Sequence, residues 1–143
     1  MLGPSFLVFL QFASIAWILY PKNSSEIFSF WWVLVLFSLI FSVWIFLHNR
    51  IGNFNITPQI KDGAKFVSSG PYRYIRHPMY FALIVGVFGV LTRLFSYSNL
   101  IAFLLMIIAV YLKARIEERL WIDHHKEYKE YLNSTKMIIP FVL

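Results

Sequence analysis

The chain has 143 residues, 59% of them hydrophobic and 20% aromatic, with only 14% charged. Soluble domains carry about 45–50% apolar and roughly 25% charged residues, and one domain of this length cannot hide so much apolar surface in a single aqueous core; the bilayer is the better solvent. There is no cysteine, which excludes disulfides, thiolate catalysis and cysteine-ligated metals.

Four apolar stretches follow in chain order. Phe6 to Tyr20, extendable back to Leu2, ends before Pro21. A signal-peptide reading of this stretch lacks both a basic n-region and a small-residue cleavage site. Ile27 to Leu47 carries no charge except at its flanks and has Trp31, Trp32 and Trp44 near its ends; at about 20 residues per crossing it is a full span. The segment 49–78 is the one generous linker, with turn formers at Gly52-Asn53, Thr57-Pro58, Asp62-Gly63 and Gly70-Pro71, and loops of that length are often functional. Met79 to Thr92 and Leu100 to Leu112 are short and stop at Arg93 and Lys113. They reach a span by borrowing His77-Pro78 and Tyr97 to Asn99; two full spans are expected, the alternative being a shallow or tilted hairpin. The following "KARIEERLWIDHHKEYKEYL" has no interior proline or glycine. It predicts that the last span continues into the cytoplasm as an amphipathic helix to about Leu132, laying Leu120, Tyr128, Tyr131 and Leu132 against the membrane or the loop. The expected fold class is all-α: a polytopic membrane helix bundle of about four transmembrane helices, forming a single domain over 1–143.

Charge orients this bundle. Residues 49–78 carry Arg50, Lys61, Lys65, Arg73 and Arg76, and the tail after residue 112 carries Lys113, Arg115, Arg119, Lys126, Lys129 and Lys136. The other connections hold only Lys22 and Arg93, so the long loop, the tail and both termini are expected on the cytoplasmic side. The formal charge of +6 is thus mainly a topology signal that also attracts anionic lipid headgroups. It gives no reason to invoke nucleic acid.

Two polar clusters carry the chemistry. In "SSGPYRYIRHPMYF", Gly70-Pro71 is a turn and Pro78 suits the first turn of a helix. Arg76 and His77 then sit at a helix start, where free N–H groups and the dipole favour an anion, and Arg73 and Arg76 complete a cationic cup. The plainer reading is that these arginines snorkel to headgroups. The second cluster is Glu117-Glu118, directly after an apolar span. Lys113 and Glu117 lie one turn apart on one face, as do Arg115 and Arg119; the plain reading of Lys113 with Glu117 is a surface i,i+4 ion pair worth about 0.3–0.5 kcal/mol. In the sharper reading one carboxylate turns inward and binds a cation in a pocket roofed by the 65–80 loop. A helix start for an anion and a carboxylate for a cation together suit a zwitterionic ligand, such as one with an amino-acid head. Asp123, His124 and His125 occupy different faces of a polar helix and read as solvated surface, so no metal site is expected. His48 reads as an interfacial residue.

The blocks "SSGPYRYIRHPMYFA", "RIEERL", "EYKEY" and "TKMIIPF" resemble, in order and spacing, the isoprenylcysteine carboxyl methyltransferase family, whose relatives include the membrane phospholipid N-methyltransferases. The resemblance covers roughly residues 45 to 141. It implies two variable spans in 1–48 and, in 49–143, a methyltransferase-like core with a cofactor loop at 59–80. It further implies an integral-membrane enzyme using S-adenosylmethionine without a Rossmann domain, consistent with the lack of a glycine-rich nucleotide loop. Carried over by position, the cofactor contacts are Phe66, Val67, Tyr72, His77, Pro78, Met79, Tyr80 and Glu117, with Glu118 beside them. Helix-start N–H groups would hold the methionine carboxylate, Glu117 the ammonium, and tyrosine faces the adenine or the sulfonium. A basic residue one turn before the first glutamate, here Lys113 with Arg115 as nearby substitute, would hold an acidic group of the substrate. Ala82 stands where glycine is frequent, and His125-Lys126 replaces a Phe-Gly or Phe-Pro turn. The partners implied are membrane lipids and a lipid or lipid-modified acceptor, with an isoprenylcysteine-like carboxylate favoured. A phospholipid amine methyltransferase, a non-catalytic module binding anionic lipids and a membrane reductase are the alternatives.

Overall fold

The computed structural model describes residues 3–20, 23–49, 67–125 and 127–140. Among the described residues five α-helices follow one another: α1 (Pro4–Leu19), α2 (Trp31–His48), α3 (Pro78–Arg93), α4 (Tyr97–His124) and α5 (Tyr128–Ser134), with a 3-10 turn at Gly70–Arg73 before α3. No β-strand occurs among the described residues; two isolated bridges, Ser25 with Phe95 and Ile75 with Lys136, tie the two ends of the bundle.

Local chemistry sets the helix starts. Pro4 and Pro78 occupy first-turn positions, where the missing N–H has no intrahelical partner to lose. Ser96 caps α4 by accepting from the Asn99 N–H at 3.2 Å, so α4 does borrow Tyr97 to Asn99. The second apolar run becomes helical only at Trp31. The residues before it are drawn into a clasp in which Ser25 and Phe95 exchange backbone hydrogen bonds of 2.9 Å and the Ile27 N–H reaches the Thr92 carbonyl.

The helices pack in two pairs, α2 on α3 and α1 on α4. The first pair closes through small residues. A Cβ on Gly86 would stand 2.6 Å from Ser38 Oγ, and one on Gly89 would stand 2.9 Å from the Trp31 carbonyl. Ser38 Oγ donates to the Ala82 carbonyl at 2.7 Å, and such backbone approach is how helices associate where lipid removes the hydrophobic drive. In the second pair α1 buries Leu7, Gln11, Ser14 and Ile18, a 4-3-4 spacing that places all four on one stripe. The core continues through Leu91, Phe103, Met106 and Val110 to Met137 and Ile138. Outward, α2 leaves Leu36, Leu39, Ile40, Val43 and Leu47 exposed, an apolar face of the kind that meets a membrane or a partner.

Two helices, α2 and α4, are long and apolar enough to cross a membrane; α1 and α3 are shorter apolar helices of 16 residues. At 1.5 Å per residue these two measure about 24 Å against a hydrocarbon thickness of about 30 Å, so length supports a crossing for two of the four expected spans. Residues 23–30 and 94–96 lie at one end. The α2 C-terminus, the 67–77 segment and the α4–α5 junction lie at the other.

The tail corrects an expectation. The last long helix does not run to Leu132 but ends at His124, and His125 is extended at φ −134°, ψ 111°. Neither proline nor glycine forces this break. Burial does: Tyr128 and Tyr131 retain 4% and 8% exposure, Trp121 stacks on Tyr128, and the Tyr131 hydroxyl donates to the Tyr72 carbonyl. Folding α5 back under the hinge outweighs the local helix preference of the sequence. Of the two surfaces proposed for these tyrosines, they take the loop.

Candidate active site

Residues 67–77 form a hinge held on three sides. Gly70 takes φ +59°, where L side chains are disfavoured, and lies so close to the His48 imidazole that a Cβ would approach its ring to 2.3 Å. His48 therefore packs on the hinge, with its Nδ1 3.1 Å from the Trp44 carbonyl. Asn49 Nδ2 donates to the Tyr72 hydroxyl at 2.7 Å. On the far side the hinge backbone pairs with the segment after α5: Arg76 N–H to the Lys136 carbonyl at 2.8 Å and His77 N–H to the Met137 carbonyl at 2.9 Å.

This framing delivers the start of α3 onto the twin acids of α4. Arg76 Nε donates to Glu118 Oε1 at 2.5 Å. Its Nη1 donates to the Thr135 carbonyl and to the Leu132 carbonyl, the latter at 3.3 Å. The Tyr80 hydroxyl donates to Glu117 Oε1 at 2.5 Å. His77 lies between the carboxylates, Nδ1 3.3 Å from Glu117 Oε2 and Nε2 3.6 Å from Glu118 Oε1. At that distance Glu118 is an electrostatic neighbour, and Nε2 is a buried nitrogen without a hydrogen-bond partner among the described residues. The His77 and Tyr80 rings stack with centroids 5.5 Å apart. Lys113 is buried, its Nζ 5.3 Å from the centroid of the Tyr80 ring and donating to Gln11 Oε1 of α1 at 2.8 Å.

Protonation follows from this packing. Burial alone would lower the His77 pKa, but the hydrogen bond to Glu117, the proximity of Glu118 and the charge of both carboxylates reverse it and raise it above the usual value. Burial pushes the Tyr72 phenol up to about 12, with the Asn49 hydrogen bond opposing and the Glu117 charge adding to it. Burial likewise pushes Tyr128 and Tyr131 up, which keeps both phenols neutral and Tyr131 a donor to the Tyr72 carbonyl.

The structure brings together His77, Tyr80, Glu117 and Glu118, with Pro78 and Met79 in the same helix turn, Tyr72 on the hinge and Lys113 one turn below Glu117. Val67 stands half-buried where the described hinge begins, and Phe66 lies outside the described residues. Arg115 is exposed on the outer face of α4, apart from the cluster. One expectation is corrected. Arg76 does not stand open in a cationic cup; Glu118 and two carbonyls take its guanidinium inward, while Arg73 is exposed. Arg76 is a staple that fixes the helix start, which leaves the Met79 N–H in the first turn of α3 without an intrahelical acceptor and His77 Nε2 without a hydrogen-bond partner among the described residues.

Sequence reasoning missed Gln11, Asn49 and Thr135. Gln11 had a signal, as an amide inside an apolar run, where lone polar residues tend to face the bundle interior. Asn49 and Thr135 had none, because their roles depend on contacts made across the fold.

A family described as phospholipid methyltransferase matches residues 27–128, from before α2 to the first residue of α5, with α1 outside the match. No curated protein matches the chain. The match agrees with the resemblance read from the sequence, which joined the isoprenylcysteine carboxyl methyltransferases with the membrane phospholipid methyltransferases. By that match, and with two apolar helices of membrane-crossing length, the chain belongs to the phospholipid methyltransferase family.

Proposed function

We propose that the chain is an integral-membrane, S-adenosylmethionine-dependent methyltransferase whose centre lies at the cytoplasmic end of the bundle and whose acceptor is a membrane lipid. The observation that carries this reading is the junction of the α3 start with Glu117 and Glu118 through Tyr80, His77 and Arg76. A bilayer-end site lined by helix-start N–H groups, a buried unpartnered imidazole nitrogen and a fixed carboxylate fits the amino-acid head of the cofactor: the Met79 N–H and His77 for its carboxylate, Glu117 for its ammonium. Tyr72 and Tyr80 supply aromatic faces for a cationic centre. When bound, the cofactor supplies an electrophilic methyl group on a sulfonium.

The chain's own part is then positioning and exclusion of water. Tyr80 and His77 hold both oxygens of Glu117, so that carboxylate meets a ligand pre-aimed. A lipid amine is the acceptor most consistent with the matched family. Such an acceptor must lose its proton before the nitrogen lone pair can attack the methyl group. A second reading, methylation of an isoprenylcysteine-like carboxylate, is supported by the buried cation of Lys113, which suits an acidic acceptor group that is already ionised.

Calorimetry with S-adenosylmethionine and its demethylated product tests the cofactor. Binding is expected, weakened by Glu117→Ala and Tyr80→Ala. No binding to folded protein overturns the proposal. Labelled-methyl transfer into aminophospholipid vesicles versus a prenylcysteine probe separates the two acceptors.

A further inference from the structure

The spacing of Lys113 and Glu117 predicts an i,i+4 ion pair, yet Glu117 is not among the hydrogen-bond partners of the Lys113 ammonium. Lys113 Nζ donates instead to Gln11 Oε1 on α1 at 2.8 Å and sits 5.3 Å from the centroid of the Tyr80 ring, within the range of cation–π attraction. Glu117 is left to other groups: the Tyr80 hydroxyl donates to its Oε1 at 2.5 Å, and His77 Nδ1 lies 3.3 Å from its Oε2. Gln11 precedes Lys113 by 102 residues and belongs to the helix outside the family match.

Lys113 and Gln11 are both buried, at 2% and 7% exposure. A buried ammonium has to be hydrogen-bonded, and the long lysine stem lets it choose among acceptors. One is the Gln11 amide oxygen, across the contact between α1 and α4. Another is the Glu117 carboxylate, one turn along its own helix on the same face. Helix packing fixes the first of these, because Gln11 lies on the buried stripe of Leu7, Ser14 and Ile18 that seats α1 on α4. The Tyr80 ring face adds to that choice, and Glu117 keeps Tyr80 and His77.

We infer that Gln11 is a positioning residue whose amide oxygen holds Lys113 away from Glu117, so that Tyr80 and His77 alone aim that carboxylate. Remove the acceptor and the buried ammonium turns along α4 to Glu117, neutralising the charge that His77 shares. The restraint is supplied by α1, so the first helix takes part in the centre without touching it. The inference rests on the methyl-transfer reading only for its consequence: a Glu117 paired with Lys113 no longer serves the ammonium of the cofactor.

The test follows the His77 ring by NMR in the full chain, labelled with 13C-histidine in neutral detergent, His77→Gln assigning the signal. Glu117 and Glu118 raise the His77 titration above the usual value; Arg76 sits on Glu118, and the Tyr80 ring stacks on the imidazole. Gln11→Leu, close in size but without an acceptor, should lower the His77 midpoint by about 1 pH unit. Adding Lys113→Met should restore it, and Gln11→Glu, which keeps an acceptor, should titrate as the parent does. Should Gln11→Leu fail to fold, Gln11→Met takes its place. An unmoved midpoint in the acceptor-free variant overturns the inference. So does a lowered midpoint that Lys113→Met fails to restore, which would mark a packing role. Calorimetry with S-adenosylmethionine on the same proteins separates the two claims. Gln11→Leu should weaken binding about tenfold, with recovery in the double variant. No binding by the parent, with midpoints moving as expected, leaves the positioning role standing and removes the methyl-transfer reading. Parent binding with unmoved midpoints does the reverse.

Discussion

Both ends of the bundle are tied by an arginine–glutamate pair and a backbone bridge, yet the two ties are different objects. At one end Arg93 meets Glu26 at 3.0 Å with side chains 46% and 37% exposed. At the other, Arg76 meets Glu118 at 2.5 Å with 9% and 8% exposure, and the pair is joined to His77, Glu117, Tyr80 and Thr135. An exposed pair contributes little, whereas a buried pair is held against a large desolvation penalty that well-packed apolar residues would avoid. Stability alone explains the first end. The second end keeps charges where they are expensive, as sites that bind or transform charged ligands do.

The sharpest break of this contrast is Glu118→Ala. It strands the Arg76 guanidinium in a buried setting and should lower unfolding stability in detergent by about 3–5 kcal/mol, read by denaturant or thermal melts. Glu117→Ala should act differently: cofactor affinity falls by about 10–100-fold, the worth of a charge-assisted contact, with a much smaller change in melting, read by calorimetry. His77→Gln removes a cation from between two carboxylates and should cost about 2 kcal/mol in acid-to-neutral solution. The pH sign follows from the raised His77 pKa. The stabilisation is complete below the unfolded value of 6.5 and is lost as pH climbs through the higher folded value. Melting temperature should therefore fall with rising pH in that window, and His77→Gln should flatten the fall. Gly70→Ala forces an L residue to φ +59° against His48 and should cost about 1–2 kcal/mol, visible in melts and in loosened protection of the hinge. The smallest effect belongs to the exposed end: Arg93→Ala should change stability by under about 1 kcal/mol, and less at high salt.

The contrast also marks what the sequence made legible. The twin acids and the Arg-His-Pro hinge could be brought to one site because their chemistry is conspicuous beside apolar runs, and His77, Tyr80 and Glu117 do meet. Helix identities were readable from uninterrupted apolar composition, and Pro78 marked one start, whereas the Ser96 cap of α4 was passed over. The turn at His125 was not readable, since it answers to the burial of Tyr128 and Tyr131 against a hinge more than 50 residues away. The inward turn of Arg76 was hidden for the same reason: its carbonyl acceptors, Leu132 and Thr135, exist as partners only after α5 folds back. Gln11 was passed over because variable amino-terminal spans say little about substrate in the family resembled, whereas its contact places it on Lys113.

The pairing of Ile75 with Lys136 also imposes a schedule on biogenesis. The helix pairs can form as they emerge, but the hinge lacks its backbone acceptors, and Arg76 two of its carbonyls, until residues 132–137 have been synthesised. Pairing of the helices therefore precedes completion of the charged centre, and a chain ending before that segment is expected to pair its helices while leaving Arg76 and the hinge short of those partners.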